Sequence, residues 1–431
     1  MRPGAHIKAA IDVLDEIQTR HRPAALALAD WGKGHRFAGS GDRAAIGNLV
    51  YDSLRRKRSL AARMDSDSPR AIVFAAAPRA LGLSADAVAA AADGSPYSVE
   101  ALTEQEHAGL SRELPRETPA PILGDFPDWL EPSFRRAFGE DATEQAVALA
   151  QRAPVDLRVN GLKADREKVL KALARYSALP APLSPVGVRL PAPEGRGRQP
   201  NVESEAGHGK GWYEVQDEGS QIAALMACAA PRAQVLDICA GAGGKTLAFA
   251  ALMQNTGQIY AYDGDAARVR PIFERLKRAG VRNMQVLRAG DSEALAALGP
   301  RFDVVFCDAP CSGSGAWRRR PDAKWRLTPA HLAQRIEQQR AILAMAAPLV
   351  KPGGRLVYVT CSMLPEENGD QLAWFLSNHS DFATLPWRES WTAAMGSGPL
   401  LSADQDGAGL LLTPARHGTD GFYIAVVGRH A

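Results

Sequence analysis

From about residue 212 onward, short apolar runs alternate with amphipathic stretches. QVLDICA, GQIYAYD, MQVLRAGD, FDVVFCDAP and GRLVYVTCS read as strands. TLAFAALMQ, ARVRPIFERLKRAG and PAHLAQRIEQQRAILAMAAPLV, placed between them, read as helices. A strand that is apolar along its whole length must be covered on both faces. Helices between the strands supply that cover, which predicts an α/β fold with a parallel, doubly wound sheet. Ligands of such sheets sit beyond the carboxyl ends of the strands. Asp237, Asp263, Asp291, Asp308 and Cys361 each stand at or just after a predicted strand end.

The chain before this point has a different texture. At 431 residues, two or three domains are expected. Residues 1–145 read as helices, as in IKAAIDVLDEIQTR, DRAAIGNLVYDSLRRKRSLAARM and EQAVALAQRA, where apolar residues recur at helical spacing. LPRETPAPILGDFP (114–127) reads as a connecting stretch. VDLRVN and PVGVRLPAP then read as short strands, DREKVLKALARY as a helix and GRGRQPNVESEAGHGKG as linker. The expected division is a helical domain over 1–145, a small α+β subdomain over 146–211 and an α/β domain over 212–431.

No run of about 18 apolar residues exists, so no membrane span is expected. MRPGAHIKAAIDVLDE has early acids and no apolar core, unlike a secretory signal. The five cysteines show no C-x-x-C spacing, so neither a disulfide framework nor a metal site is expected. Reduced thiols in a cytoplasmic protein are the plain reading. The net charge of +3 is unevenly placed. RRKR fills 55–58, and RRRPDAKWR runs from Arg318 to Arg326 with Trp317 and Trp325 among the charges. Arginine beside tryptophan suits phosphate contacts with base stacking. The competing reading is a solvated helix face.

DICAGAGGKT (237–246) is the first ligand signal. It ends like a P-loop, but Cys239 stands where the leading glycine belongs. The dinucleotide pattern is half met: Gly241 and Gly243 fit, and Thr246 replaces the last glycine. A strand, a glycine turn and a helix can also hold an adenosine ligand without triphosphate machinery. Asp263, 20 residues after Gly243, suits a ribose diol. Asp291, one strand later, can reach an adenine amino group. The candidate cofactor is S-adenosyl-L-methionine, held by Cys239, Ala240, Gly241, Ala242, Gly243, Gly244 and Lys245 with Asp263, Asp291 and Asp308. Each acid could instead cap the next helix.

Cys228 and Cys307 lie inside apolar runs and read as core. Cys311 and Cys361 are flanked by polar residues at strand ends. A thiolate there is a strong nucleophile. Two thiols facing a methyl donor fit one chemistry well. Carbon 5 of cytosine is a feeble nucleophile until a thiolate adds at carbon 6, and a second group must then help expel the enzyme. This chemistry does not order the two cysteines.

WYEVQDEGSQ, DICAGAGGKT, the Asp263 and Asp291 positions, DAPCSGSG, VYVTCSMLPEEN and HGTDGF together resemble the RsmB/Sun family of RNA 5-methylcytosine methyltransferases, over residues 150 to 431. GDRAAIGNLVYDSLRR in the helical start resembles, more loosely, a NusB-like RNA-binding domain. The resemblance implies a Rossmann-like class I methyltransferase sheet. It implies Cys361 as nucleophile, Cys311 as the cysteine that assists release, and Asp308 at the cytosine edge. Lys245 would assist there or face the methionine carboxylate. The implied partner is RNA: ribosomal RNA leads because of the NusB-like start, and transfer RNA is the runner-up. A monomer is expected. The alternative is an RNA-binding assembly factor with an inactive methyltransferase fold. One departure stands out. The family pattern A-P-G-G-K-T becomes Gly241-Ala242-Gly243-Gly244-Lys245-Thr246, and the loop loses the φ restriction of a proline.

Overall fold

The computed structural model describes residues 1–396, 401–404 and 407–431. Helices occupy the chain up to Leu149. Four short strands follow: β1 (Val155–Val159), β2 (Leu179–Pro180), β3 (Gly187–Leu190) and β4 (Tyr213–Val215). They pair antiparallel in the order β2-β3-β1-β4. The main sheet holds β5 (Gln234–Asp237), β6 (Gln258–Ala261), β7 (Met284–Val286), β8 (Phe302–Asp308), β9 (Val350–Thr360), β10 (Phe382–Leu385), β11 (Leu410–Leu412) and β12 (Phe422–Arg429). Its order is β10-β12-β9-β8-β5-β6-β7, with β11 paired to β12.

The five strands read from the sequence are the parallel set β5 to β9. The sheet as a whole is mixed, because β12 inserts antiparallel between β9 and β10. The chain order reverses between β5 and β8. Connections run from β5 to β6 and β7 on one side, and from β8 to β9 on the other. Loops after β5 and β8 therefore lead apart, which opens a crevice at the carboxyl ends.

Two predicted helices are broken. ARVRPIFERLKRAG forms Ala266–Val269 and Ile272–Ala279, parted at Pro271. Proline has no N–H to continue the ladder and clashes with the preceding turn. The long helix before Met64 is parted at Arg56, into Ser40–Arg55 and Lys57–Met64.

Packing separates two main bodies. One core draws on Ile7 to Leu110, including Ile46, Phe74 and Leu81. The helices Glu131–Phe138 and Ala142–Leu149 instead pack on the main sheet, where Phe126, Phe134 and Leu149 share a core with Val305 and Leu356. Packing thus draws the border earlier than residue 145.

Most of the charged side chains in the two clusters are engaged within the molecule, while Arg320 is exposed. Arg319 reaches Asp217 at 2.8 Å, and both Arg318 and Arg319 bind Asp420. Arg319 also donates to the Pro154 carbonyl. Trp317 is buried and stacks on Phe134, and Trp325 donates its indole N–H to the Leu54 carbonyl. Buried Lys324 donates to the Arg55 carbonyl. Within RRKR, Arg55 donates to the Arg318 carbonyl and Arg58 to Phe126 and Asp128. The expectation of phosphate contacts and base stacking is therefore corrected for Trp317, Arg318, Arg319, Lys324 and Trp325, whereas Arg320 stays exposed. Charges this close to acids on distant segments pair with them, which sequence spacing does not reveal.

Removing one partner of a buried ion cluster leaves uncompensated charge. Asp420→Ala should destabilise the fold by about 3–5 kcal/mol, read as a lower urea midpoint. An unchanged midpoint would mean that Asp217 alone neutralises both arginines.

Candidate active site

The loop after β5 is shaped by two glycines in the left-handed region, Gly241 (φ 49°) and Gly243 (φ 82°). A Cβ at Gly243 would stand 2.5 Å from Ile272 Cγ1, so both conformation and space demand glycine. The Gly241 N–H donates to Asp263 Oδ2 at 2.9 Å, and the Asp265 N–H donates to Asp263 Oδ1 at 3.0 Å. The loop carbonyls are held from outside. Arg275 donates to the Ala242 carbonyl at 2.8 Å, and Arg158 of β1 donates to the Gly244 carbonyl. Arg275 is itself paired with Glu214 of β4 at 2.9 Å. These bonds supply the stiffness that the missing proline would otherwise lend.

Asp237, at the end of β5, accepts from Thr246 Oγ1 at 2.7 Å. Burial pushes its carboxyl up to about 7, opposed by the Thr246 hydroxyl and reinforced by Asp308. Lys245 Nζ donates to Asp308 Oδ2 at 2.6 Å and stands 5.5 Å from the Phe422 ring centre. The glycine loop and the loop after β8 are joined through this pair. Two of the expected ligand residues also make contacts within the fold. Cys239 is buried, and its thiol is held protonated by a hydrogen bond with Cys307 and by burial. Asp291 caps the helix Ser292–Ala296, accepting from the Ala294 N–H at 2.9 Å.

Cys311 and Cys361, 50 positions apart in the chain, have their sulfurs 3.4 Å apart. The hydrogen bond with Cys361 raises the Cys311 thiol well above its ordinary range, and burial adds to it. Two thiols at this distance titrate as a pair and do not both ionise.

One residue behind them went unread in the sequence. Glu367 is fully buried and accepts from the Ser312 N–H at 2.7 Å and from the Ser312 hydroxyl. Gln339 bridges Glu367 Oε1 (3.1 Å) and the Pro310 carbonyl (3.0 Å). Ser314 meets Ser362 at 3.0 Å and accepts from the Met363 N–H at 2.8 Å. The residues flanking both cysteines are thus tied to one carboxylate network. The only sequence signal was a pair of acids just after Cys361, in LPEEN. Among the described residues, no group of three or more His, Cys, Asp or Glu is arranged to hold a metal.

Comparison with known proteins fits this geometry. Residues 224–427 match the family described as 16S rRNA methyltransferase RsmB/F, and residues 126–195 match the ferredoxin-like domain described for RsmF/B-like methyltransferases. The ribosomal RNA small subunit methyltransferase B of Sodalis glossinidius is 34% identical over 74% of this chain and 70% of its own. The chain belongs to the RsmB/F methyltransferase family. A second relative, the probable ribosomal RNA small subunit methyltransferase B of Synechocystis sp., is 35% identical over 70% of this chain and 66% of its own. This chain therefore spans about two thirds of these relatives. A methyltransferase homologue from Pyrococcus horikoshii superposes with a TM-score of 0.60 at 28% identity, over 72% of this chain and 97% of that one.

The thiol pair gives a test that needs no substrate. The bond to Cys361 is the largest cause keeping Cys311 protonated, so its loss lowers the Cys311 pKa. Cys361→Ala should shift iodoacetamide labelling of Cys311 to lower pH, followed by peptide mass spectrometry. An unmoved profile would leave burial as the whole cause.

Proposed function

We propose that the protein transfers a methyl group to carbon 5 of a cytosine in RNA, ribosomal RNA first, through a covalent cysteine adduct. The observation that carries this reading is the thiol pair, 3.4 Å apart at the carboxyl ends of a sheet that also bears the glycine loop. Family membership supports methyl transfer, and the printed names of the relatives favour small-subunit ribosomal RNA. The reading places the reaction in the cytoplasm.

The residues fit S-adenosyl-L-methionine by their chemistry. Asp263 offers a buried carboxylate that accepts two backbone bonds and lies 3.4 Å from Arg268 Nη1, and its remaining lone pairs suit a diol. Gly241 and Gly243 bring backbone close to a ligand without side chains. S-adenosyl-L-methionine would supply an electrophilic methyl group, its sulfonium sulfur keeping the electron pair of the bond that breaks and leaving as the neutral thioether.

The protein's residues then divide the work. The Cys361 thiolate bonds to carbon 6, and the electron pair of the 5,6 double bond moves to carbon 5. Asp308, held by Lys245, faces the polarised base edge. Carbon 5 takes the methyl group and still carries its hydrogen. Once the Cys361 sulfur is bonded to carbon, the interaction that raised Cys311 is gone. Cys311 can then pass its own proton to solvent and, as the thiolate, take the one from carbon 5. The electron pair left at carbon 5 restores the double bond and expels the Cys361 thiolate.

Cys361→Ala should lower methyl transfer from labelled S-adenosyl-L-methionine by roughly 10³-fold or more, with cofactor affinity retained. Cys311→Ala should form the adduct and fail to release it. Protein–RNA complexes that survive denaturing gels should accumulate and should require Cys361. If Cys361→Ala traps RNA through Cys311 instead, the two roles are reversed. If neither variant traps RNA, the covalent route fails.

A further inference from the structure

Most cations of the clusters at 55–58 and 318–326 are held by internal contacts, yet the helical start carries a different surface. A groove of about 1070 Å³ lies beside the first helix, Pro3–Arg20. Trp31 and His35 stack along it with ring centres 4.2 Å apart and planes 8° from parallel. Phe37 meets the His35 ring edge-on at 5.8 Å. Tyr97 stands in the same lining. Phe37 is 73% exposed and Tyr97 83%. The exposed aromatic side chains among the described residues are these two and Phe273, so most of them gather here. Exposed aromatic surface is costly and marks a binding site when it clusters.

Charge decides what the groove fits. Arg2 and Lys8 line it, and Arg36 is exposed between His35 and Phe37. None of the three forms an ion pair among the described residues. Two acids also line the groove. Asp93 is engaged by the Ser95 N–H at 3.0 Å, and Asp12 lies one helical turn from Lys8. The cations continue beyond it. Arg196 is exposed and near enough to His6 to act on its charge, and Arg198 lines a second groove of about 630 Å³ that reaches Arg319. Flat aromatic faces with uncommitted cations suit unpaired bases on a phosphate backbone.

We propose that this groove is a binding site for a single-stranded segment of the RNA substrate, with Phe37 and Tyr97 stacking on its bases and Arg2, Lys8 and Arg36 meeting its phosphates. The site rests on the reading of the protein as an RNA methyltransferase, and its test is independent of methyl transfer. A fluorescent single-stranded RNA oligonucleotide and its duplex are titrated by anisotropy over a range of salt. The double variant Phe37→Ala/Tyr97→Ala should bind the single strand about 10- to 100-fold more weakly. Its salt slope should stay near the wild-type value, because the phosphate contacts remain. Duplex binding should change little. Arg2→Ala/Lys8→Ala should instead flatten the salt slope. Wild-type affinity in the aromatic variant would overturn the proposal. So would an equal loss on duplex, or no binding of the oligonucleotide by the wild-type protein. Failure of wild-type methyl transfer with the binding results intact would sink the enzymatic reading alone.

Discussion

Arg318, Arg319, Asp217 and Asp420 form a buried cluster on which the catalytic face is assembled. Asp217 opens the helix Glu218–Leu225, the arginines follow the cysteine loop after β8, and Asp420 stands in the turn that enters β12. Taking four charges out of water is costly, and only mutual pairing offsets it. Burial alone would push both carboxyls up; beside Arg319 and Arg318, Asp217 ends below its usual range, and Asp420 stays above. The segment of Arg318 and Lys324 also receives the helical start, through Arg55 on the Arg318 carbonyl and Lys324 on the Arg55 carbonyl. Domain docking and loop placement are therefore parts of one polar network.

The glycine loop and the loop after β8 are each held by residues from outside them. Arg158 and Arg275 come from outside the glycine loop and fix its carbonyls, so the loop does not rely on its own sequence for stiffness. Glu367 does the corresponding work for the cysteines from behind. The two halves meet at Lys245 and Asp308. A pair of thiols held this closely shares its protons, which lets bond formation at one sulfur change the acidity of the other.

Much of the α/β domain was legible because burial leaves a local mark. The apolar runs in β5, β6, β8 and the second half of β9 mark buried strands, and Asp237, Asp263 and Asp308 stand at or just after strand ends, where ligands of such sheets bind. β12 carried the same kind of mark in FYIAVV, yet its antiparallel place between β9 and β10 needed the whole sheet. Pro271 announced a break that an amphipathic pattern concealed.

The sequence by itself determined the parallel strand set, the glycine loop, and which cysteines stand at strand ends. These follow from periodicity and backbone conformation, which depend on neighbours a few residues away. Tertiary structure alone decided which charges are spent and which are free. Arg318 and Asp420 are 102 positions apart, and Ser312 and Glu367 are 55. The partner of a charge is set by chain segments that meet only after folding, and desolvation then makes that pairing obligatory. That is why most of RRRPDAKWR, the stretch most like a nucleic-acid contact in one dimension, is tied into the interior in three, with Arg320 left at the surface.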